Sequence, residues 1–233
     1  MTDQPLDQPA PPEPKPVVPR SPQDQRMADR ISDAREKVLI VQADPELAER
    51  MSLRGFDAAR LTAGLDLQAA AQTAFTNRQT AMGEEDAANA AFAAAYAKCR
   101  QDYTDFRTTS RKVFKKNAAA QATLGVTGRL TTDAQQLVTA ARASYNAALA
   151  APAYLSELAL EGYPPTALQA LIAGLDALQA ANTRQETARA AAVRATALRD
   201  EADQALADWR SRFNTAAAIA TRDRPDLSAK LGL

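Results

Sequence analysis

The chemistry encoded most densely in this sequence is cationic. Lys98, Arg100, Arg107, Arg111, Lys112, Lys115, Lys116 and Arg129 share one stretch with only two carboxylates, Asp102 and Asp105, and Tyr103, Phe106 and Phe114 are interleaved among them. Cations of this density neutralise phosphates and release counterions, and aromatic rings stack on bases. Arg107, Arg111, Lys112, Lys115 and Lys116 are therefore the candidate contacts to nucleic acid. The competing explanation is a solvated helix end, where cations complement the C-terminal dipole. A later stretch favours that explanation, because Arg210, Arg212, Arg222, Arg224 and Lys230 there share space with Asp208, Asp223 and Asp226.

Other chemistries find fewer residues. The 233-residue chain has no histidine, which excludes histidine-based nucleophilic triads, most zinc sites and the Glu-x-x-His ligand pairs of di-iron bundles. Its eight glycines are isolated, so no phosphate-cradling loop is present. Cys99 lies three and four residues from Tyr96 and Tyr103 on one helical face, which reads as a small buried hydrophobe more than as a reactive thiol. Glu84, Glu85 and Asp86 lack the oxygen-ligand spacing of a calcium loop and read as acidic residues in the first turn of a helix. Tyr154 to Leu178 has the length of a helix-turn-helix, but no Arg or Lys lies between Ala167 and Asn182 to reach base edges, so a structural corner is expected there. Neither a catalytic residue nor a cofactor or metal site is expected.

The elements that must carry these residues are helices. Alanine occupies 55 positions, and only five of the 13 prolines lie beyond Pro22. Alanine has the highest helix propensity, and glycine and proline the lowest. Met1 to Pro22 is Pro-rich and polar, and is expected to be a disordered tail. The rest matches itself when slid by 107 positions without a gap. That register aligns Ala34-Arg35 with Ala141-Arg142, Pro45 with Pro152, Leu53 and Gly55 with Leu160 and Gly162, and Phe56 with Tyr163. It still holds for Leu61 with Leu168, Phe106 with Phe213, and Leu124-Gly125 with Leu231-Gly232. A fixed period of this kind points to a tandem duplication.

Each repeat then has the same parts. A first helix over Gln25 to Ala43 is matched by Thr132 to Ala150, and a Pro-initiated short helix ends at Gly55 or Gly162. A second long segment starts near Asp57 and near Pro164-Pro165. Met82 to Asp86 can break the first of these into a hairpin, whereas Arg189 to Val193 in the second contains no breaker, and an unbroken helix from about Pro165 to Thr221 would span about 85 Å. Leu168, Leu171, Leu175 and Leu178, then Leu198, Leu206, Trp209 and Phe213, form apolar stripes for packing.

The expectation is an all-α, elongated helical bundle with pseudo-twofold symmetry between repeats at 23–126 and 131–233. The 28 basic and 28 acidic residues cancel, so no global field draws in nucleic acid or anionic membrane. No transmembrane segment and no signal peptide are expected, and the cytoplasm is the expected compartment. The pervasive Ala, Arg, Gln and Thr resemble those of bacterial helical proteins. The expected function is non-enzymatic protein–protein interaction or scaffolding, through an unknown protein partner or self-association. Nucleic-acid association through Lys98–Arg129 is the first alternative. A granule or lipid-surface coat, similar to phasins in Ala-rich helical character, is the second, and it requires an exposed apolar face.

Overall fold

The computed structural model describes residues 21–233, which form eight helices with no strand among the described residues. Of the tail expected over Met1 to Pro22, residues 1–20 lie outside them, and the last two are not tail, since Ser21 caps the first helix and Pro22 begins it. The elements are α1 (Pro22–Ala43), α2 (Pro45–Ser52), α3 (Ala58–Val113), α4 (Ala118–Thr123), α5 (Ala134–Ala150), α6 (Pro152–Leu160), α7 (Pro165–Ala220) and α8 (Pro225–Lys230). The all-α expectation is met.

Local chemistry sets the boundaries. Ser21, Asp44, Asn117 and Asp133 each accept a hydrogen bond from the backbone N–H three residues on, satisfying a donor that the first helical turn leaves unpaired. Asp57 does the same for Arg60 N at the start of α3. Proline stands at the first position of α1, α2, α6, α7 and α8, where its missing N–H costs nothing. Gly55 and Gly162 follow α2 and α6 at φ of 78° and 91°, a left-handed conformation that closes the short helix and starts the long one.

Both long segments run as single 56-residue helices. No hairpin forms at Met82 to Asp86, and Glu84, Glu85 and Asp86 lie in mid-helix instead of in a first turn. One glycine costs a helix only about 1 kcal/mol relative to alanine, and nothing lies near Gly83 that would require a turn. Helices α3, α4, α6 and α8 end or begin at positions offset by 107 from their counterparts: α3 at 58 and 113 against α7 at 165 and 220, α4 at 118 and 123 against α8 at 225 and 230.

The chain divides into two compact units that cut across the repeat register. Unit 1 comprises the described residues up to Phe75 together with Arg199–Leu233, and unit 2 is Thr76–Leu198. Each unit thus joins the front of one of the two expected repeats to the back of the other. The core of unit 1 includes Met27, Ile31, Val38, Leu47, Met51, Phe56, Leu61, Leu206, Trp209, Phe213, Leu227 and Leu231. That of unit 2 includes Val138, Tyr145, Leu158, Leu168, Cys99, Phe106, Ala120 and Leu124, most of them the same positions displaced by 107. The aromatic geometry repeats as well. Phe56 meets Phe213 edge-on at 5.5 Å and 87° in unit 1, and Tyr163 meets Phe106 at 5.4 Å and 82° in unit 2.

The two units are joined internally by different chemistry. In unit 1, α1 and α7 are linked by Arg30–Asp203 at 2.7 Å, Arg210–Asp33 at 2.5 Å and a buried Arg199–Asp24 pair at 3.3 Å. In unit 2, the Tyr103 and Ser144 hydroxyls share a buried hydrogen bond of 2.9 Å, and Tyr145 packs edge-on to both Tyr103 and Phe106.

Candidate functional site

The basic stretch is split by the structure into two groups. Arg107 is buried and donates to the carbonyls of Val126, Thr127 and Gly128, at 3.2, 3.2 and 2.7 Å. Arg111, one turn on, donates to Val126 O at 2.6 Å and to Gly128 O at 3.0 Å. These two guanidiniums hold the segment between α4 and α5 against α3. Buried carbonyls need donors, and an arginine fork supplies several from one side chain. Burial pushes the Arg107 guanidinium below its usual pKa, and the neighbouring Arg111 adds to the shift. Lys112, Lys115 and Lys116 are exposed beyond them. Of the five candidate contacts, Arg107 is therefore buried in the fold, Arg111 is exposed but bonded to the same carbonyls, and the three lysines face solvent.

The remaining sequence candidates are accounted for by packing. Cys99 is buried, its thiol donates to Gly174 O at 3.4 Å, and burial raises its pKa, with Asp102 contributing. A raised pKa disfavours the nucleophilic thiolate. In the helix-turn-helix-like segment, Leu158, Leu168, Leu175 and Leu178 all enter the core of unit 2, so the segment is a corner of the fold. Among the described residues, no group of three or more His, Cys, Asp or Glu side chains could hold a metal ion. No described helix is long and apolar enough to cross a membrane.

A surface that the sequence did not mark lies in unit 1, where α2 meets the end of α7. Leu53 is 77% exposed and Ile219 38% exposed, and both line one cleft at this corner. An adjoining cleft of about 370 Å³ shares Arg54 and Ile219 with it and is also lined by Phe56, Arg60, Arg212 and Ala216. Its lining holds three guanidiniums and no carboxylate. Arg60 lies over the Phe56 ring at 4.5 Å and donates to Gly55 O at 3.2 Å, which fixes one wall.

Ion pairs brace the back of this corner. Arg50 bridges Glu46 at 3.1 Å and Asp223 at 2.7 Å, Lys230 reaches Asp44 at 2.7 Å, and Arg224 pairs with both Glu46 and Asp226. Their hydrogen bonds hold the Asp44, Asp223 and Asp226 carboxyls below the usual carboxylate range, Asp226 at about 2 beside Arg224. The opposite shift occurs in unit 2, where burial raises the Tyr145 phenol well above 10, with nearby Asp102 adding to it.

These shifts predict instability at both ends of the pH scale. A carboxylate lowered on folding stabilises the protein above its unfolded pKa, near 4, and that stability is lost as pH falls toward 2. A phenol raised on folding stabilises it below about pH 10, and that contribution is lost as pH climbs further. The only tryptophan, Trp209, is in unit 1 and all five tyrosines are in unit 2, so optical titration distinguishes the two. Tyrosinate absorbance from Tyr145 is expected only together with loss of helical circular dichroism above pH 10. Ionisation of all five tyrosines with the helical signal intact would contradict this.

No family model matches this chain, and no curated protein or solved structure matches it.

Proposed function

We propose that this chain is a non-enzymatic interaction protein, a helical scaffold produced by tandem duplication, whose working surface is the α2–α7 corner of unit 1. The observation that carries the reading is the juxtaposition of two adjoining clefts that share Arg54 and Ile219: one is lined by the exposed Leu53 and also by Glu46, Glu49 and Asp223, and the other is lined by Arg54, Arg60 and Arg212 with no carboxylate. An exposed apolar patch with a charged rim is the usual make-up of a protein-docking surface. The shared 107-residue offset of helix boundaries and the repeated aromatic pair support the duplication. The buried thiol of the sole cysteine suits a reducing compartment, and the cytoplasm is the setting proposed.

The test is a capture experiment with purified full-length protein on source-cell lysate, with and without nuclease. Leu53→Asp/Arg54→Glu is compared with Lys112→Ala/Lys115→Ala/Lys116→Ala. A bound set of proteins is expected to survive nuclease, to fall at least tenfold with the corner variant, and to be unchanged by the lysine variant. Loss on nuclease treatment and in the lysine variant alone would transfer the function to nucleic-acid association.

A further inference from the structure

The α2–α7 corner has a counterpart in unit 2 at the same repeat positions, and the two are unlike in a directed way. Leu53 corresponds to Leu160, which is 84% exposed. A leucine left in water at both copies of one position has no packing role within either unit, so the fold alone does not account for it. Three arginines of the unit-1 corner are matched by carboxylates, although Glu46, Glu49 and Asp223 also line the Leu53 cleft. Arg50 and Arg54 stand where unit 2 has Glu157 and Glu161, and Arg212 stands where it has Asp105. Arg60 is matched by Ala167, and Ile219, which lines the clefts of unit 1, is matched by Lys112. Unit 2 therefore presents a leucine flanked by Glu157 and Glu161, with a lysine in place of the isoleucine that lines the clefts of unit 1. Unit 1 presents that lining, rimmed by arginines.

We propose that copies of this chain associate head to tail, with the Leu160–Glu161 corner of one copy seated in the arginine-rimmed cleft of unit 1 of the next. The inference rests on the interaction reading above and names its partner as a second copy. Leu160 covers Ile219 and Ala216, and Glu157 and Glu161 meet Arg54, Arg60 and Arg212. Opposite charges fix the orientation and speed the encounter, whereas pairing two unit-1 corners would bring like charges together. Because the two surfaces differ, each association leaves one cleft and one leucine corner free, so the contact propagates unless the rotation between copies closes a ring. One leucine and a few exposed ion pairs make a weak contact, which is expected to loosen further as salt screens the charges.

The experiment is sedimentation velocity of the full-length protein from micromolar to millimolar concentration, at low and high salt. Average mass is expected to rise past that of a dimer with concentration and to fall with salt. Leu160→Asp removes the inserted leucine, and Arg54→Glu with Ile219→Asp disables the cleft. Both changes are at exposed positions, and circular dichroism verifies the fold of each variant. Each alone should stay monomeric, and an equimolar mixture should form a one-to-one dimer and stop, because one intact cleft meets one intact corner. A wild-type protein that is monomeric throughout, a dimer that never extends, or a mixture that fails to pair would each overturn the inference. If the wild type is monomeric while Leu53→Asp/Arg54→Glu still abolishes capture from lysate, the interaction reading stands with a different partner and only the self-association falls.

Discussion

Gly64→Ala is expected to destabilise the protein by up to about 2 kcal/mol, although alanine is the better helix former. Gly64 lies inside α3, and a Cβ there would meet Trp209 Cζ2 at 2.1 Å and Cε2 at 2.5 Å. The indole has nowhere inexpensive to go. It stacks on Phe213 at 5.2 Å, meets Phe56 edge-on at 6.0 Å, and its Nε1 donates to Arg60 O at 3.3 Å. Moving it forfeits these contacts together, and overpacking of this kind costs about 1–3 kcal/mol. Helix propensity returns about 1 kcal/mol, so the net sign is set by the ring. Gly83→Ala and Gly174→Ala supply the contrast, because nothing lies within 4 Å of a Cβ at either position. Both should stabilise by up to about 1 kcal/mol. Urea unfolding followed by Trp209 emission and circular dichroism measures all three. A Gly64→Ala protein as stable as Gly83→Ala would mean that Trp209 does not depend on the missing side chain.

The contrast between Gly64 and Gly83 shows which parts of this fold were legible in the sequence. Helix boundaries were readable where a residue type tolerates few environments: Pro45 and Pro152 open short helices, and Gly55 and Gly162 close them. The 107-residue offset of helix bounds was readable for the same reason. Gly83 misled because glycine beside three acidic residues has the composition of a turn, while its cost inside a long alanine-rich helix is small. Which segments share a core was not legible. It depends on pairs such as Arg30 with Asp203 and Asp33 with Arg210, separated by more than 170 positions, and hydrophobic periodicity carries no information about them. The basic stretch was legible as charge but not as geometry, since only the carbonyls at 126–128 reveal that Arg107 is buried and that Arg111 is tied to the same loop. Leu53 and Leu160 were visible as a repeat match, yet only their exposure separates them from core leucines.

The second large effect is expected at Arg199. Asp24 is 1% exposed and accepts from Arg199 Nη1 at 3.3 Å, while Arg199 itself is 3% exposed and also lies 2.9 Å from Asp200. Arg199→Met leaves the Asp24 carboxylate in a dry site without this cation, which costs about 3–5 kcal/mol. Asp24→Leu combined with Arg199→Met removes both charges and should recover most of that loss, short of the contribution of about 0.3–1 kcal/mol that an acidic residue makes in the first turn of α1. Thermal and urea unfolding of the two single variants and the double variant give the coupling directly. Equal loss in Arg199→Met and in the double variant would show that the pair is not what holds α1 to α7. The positions matching this pair in unit 2 are Thr131 and Phe92, and Phe92 stacks on Tyr96 at 6.3 Å. Were α1 to take the place of α5 against α3, Asp24 would face an aromatic ring in place of the Arg199 guanidinium, which disfavours that exchange. Positions 107 apart that are alike in apolar character thus carry unlike charges, and the Arg199→Met comparison measures how much those charges contribute to pairing α1 with α7.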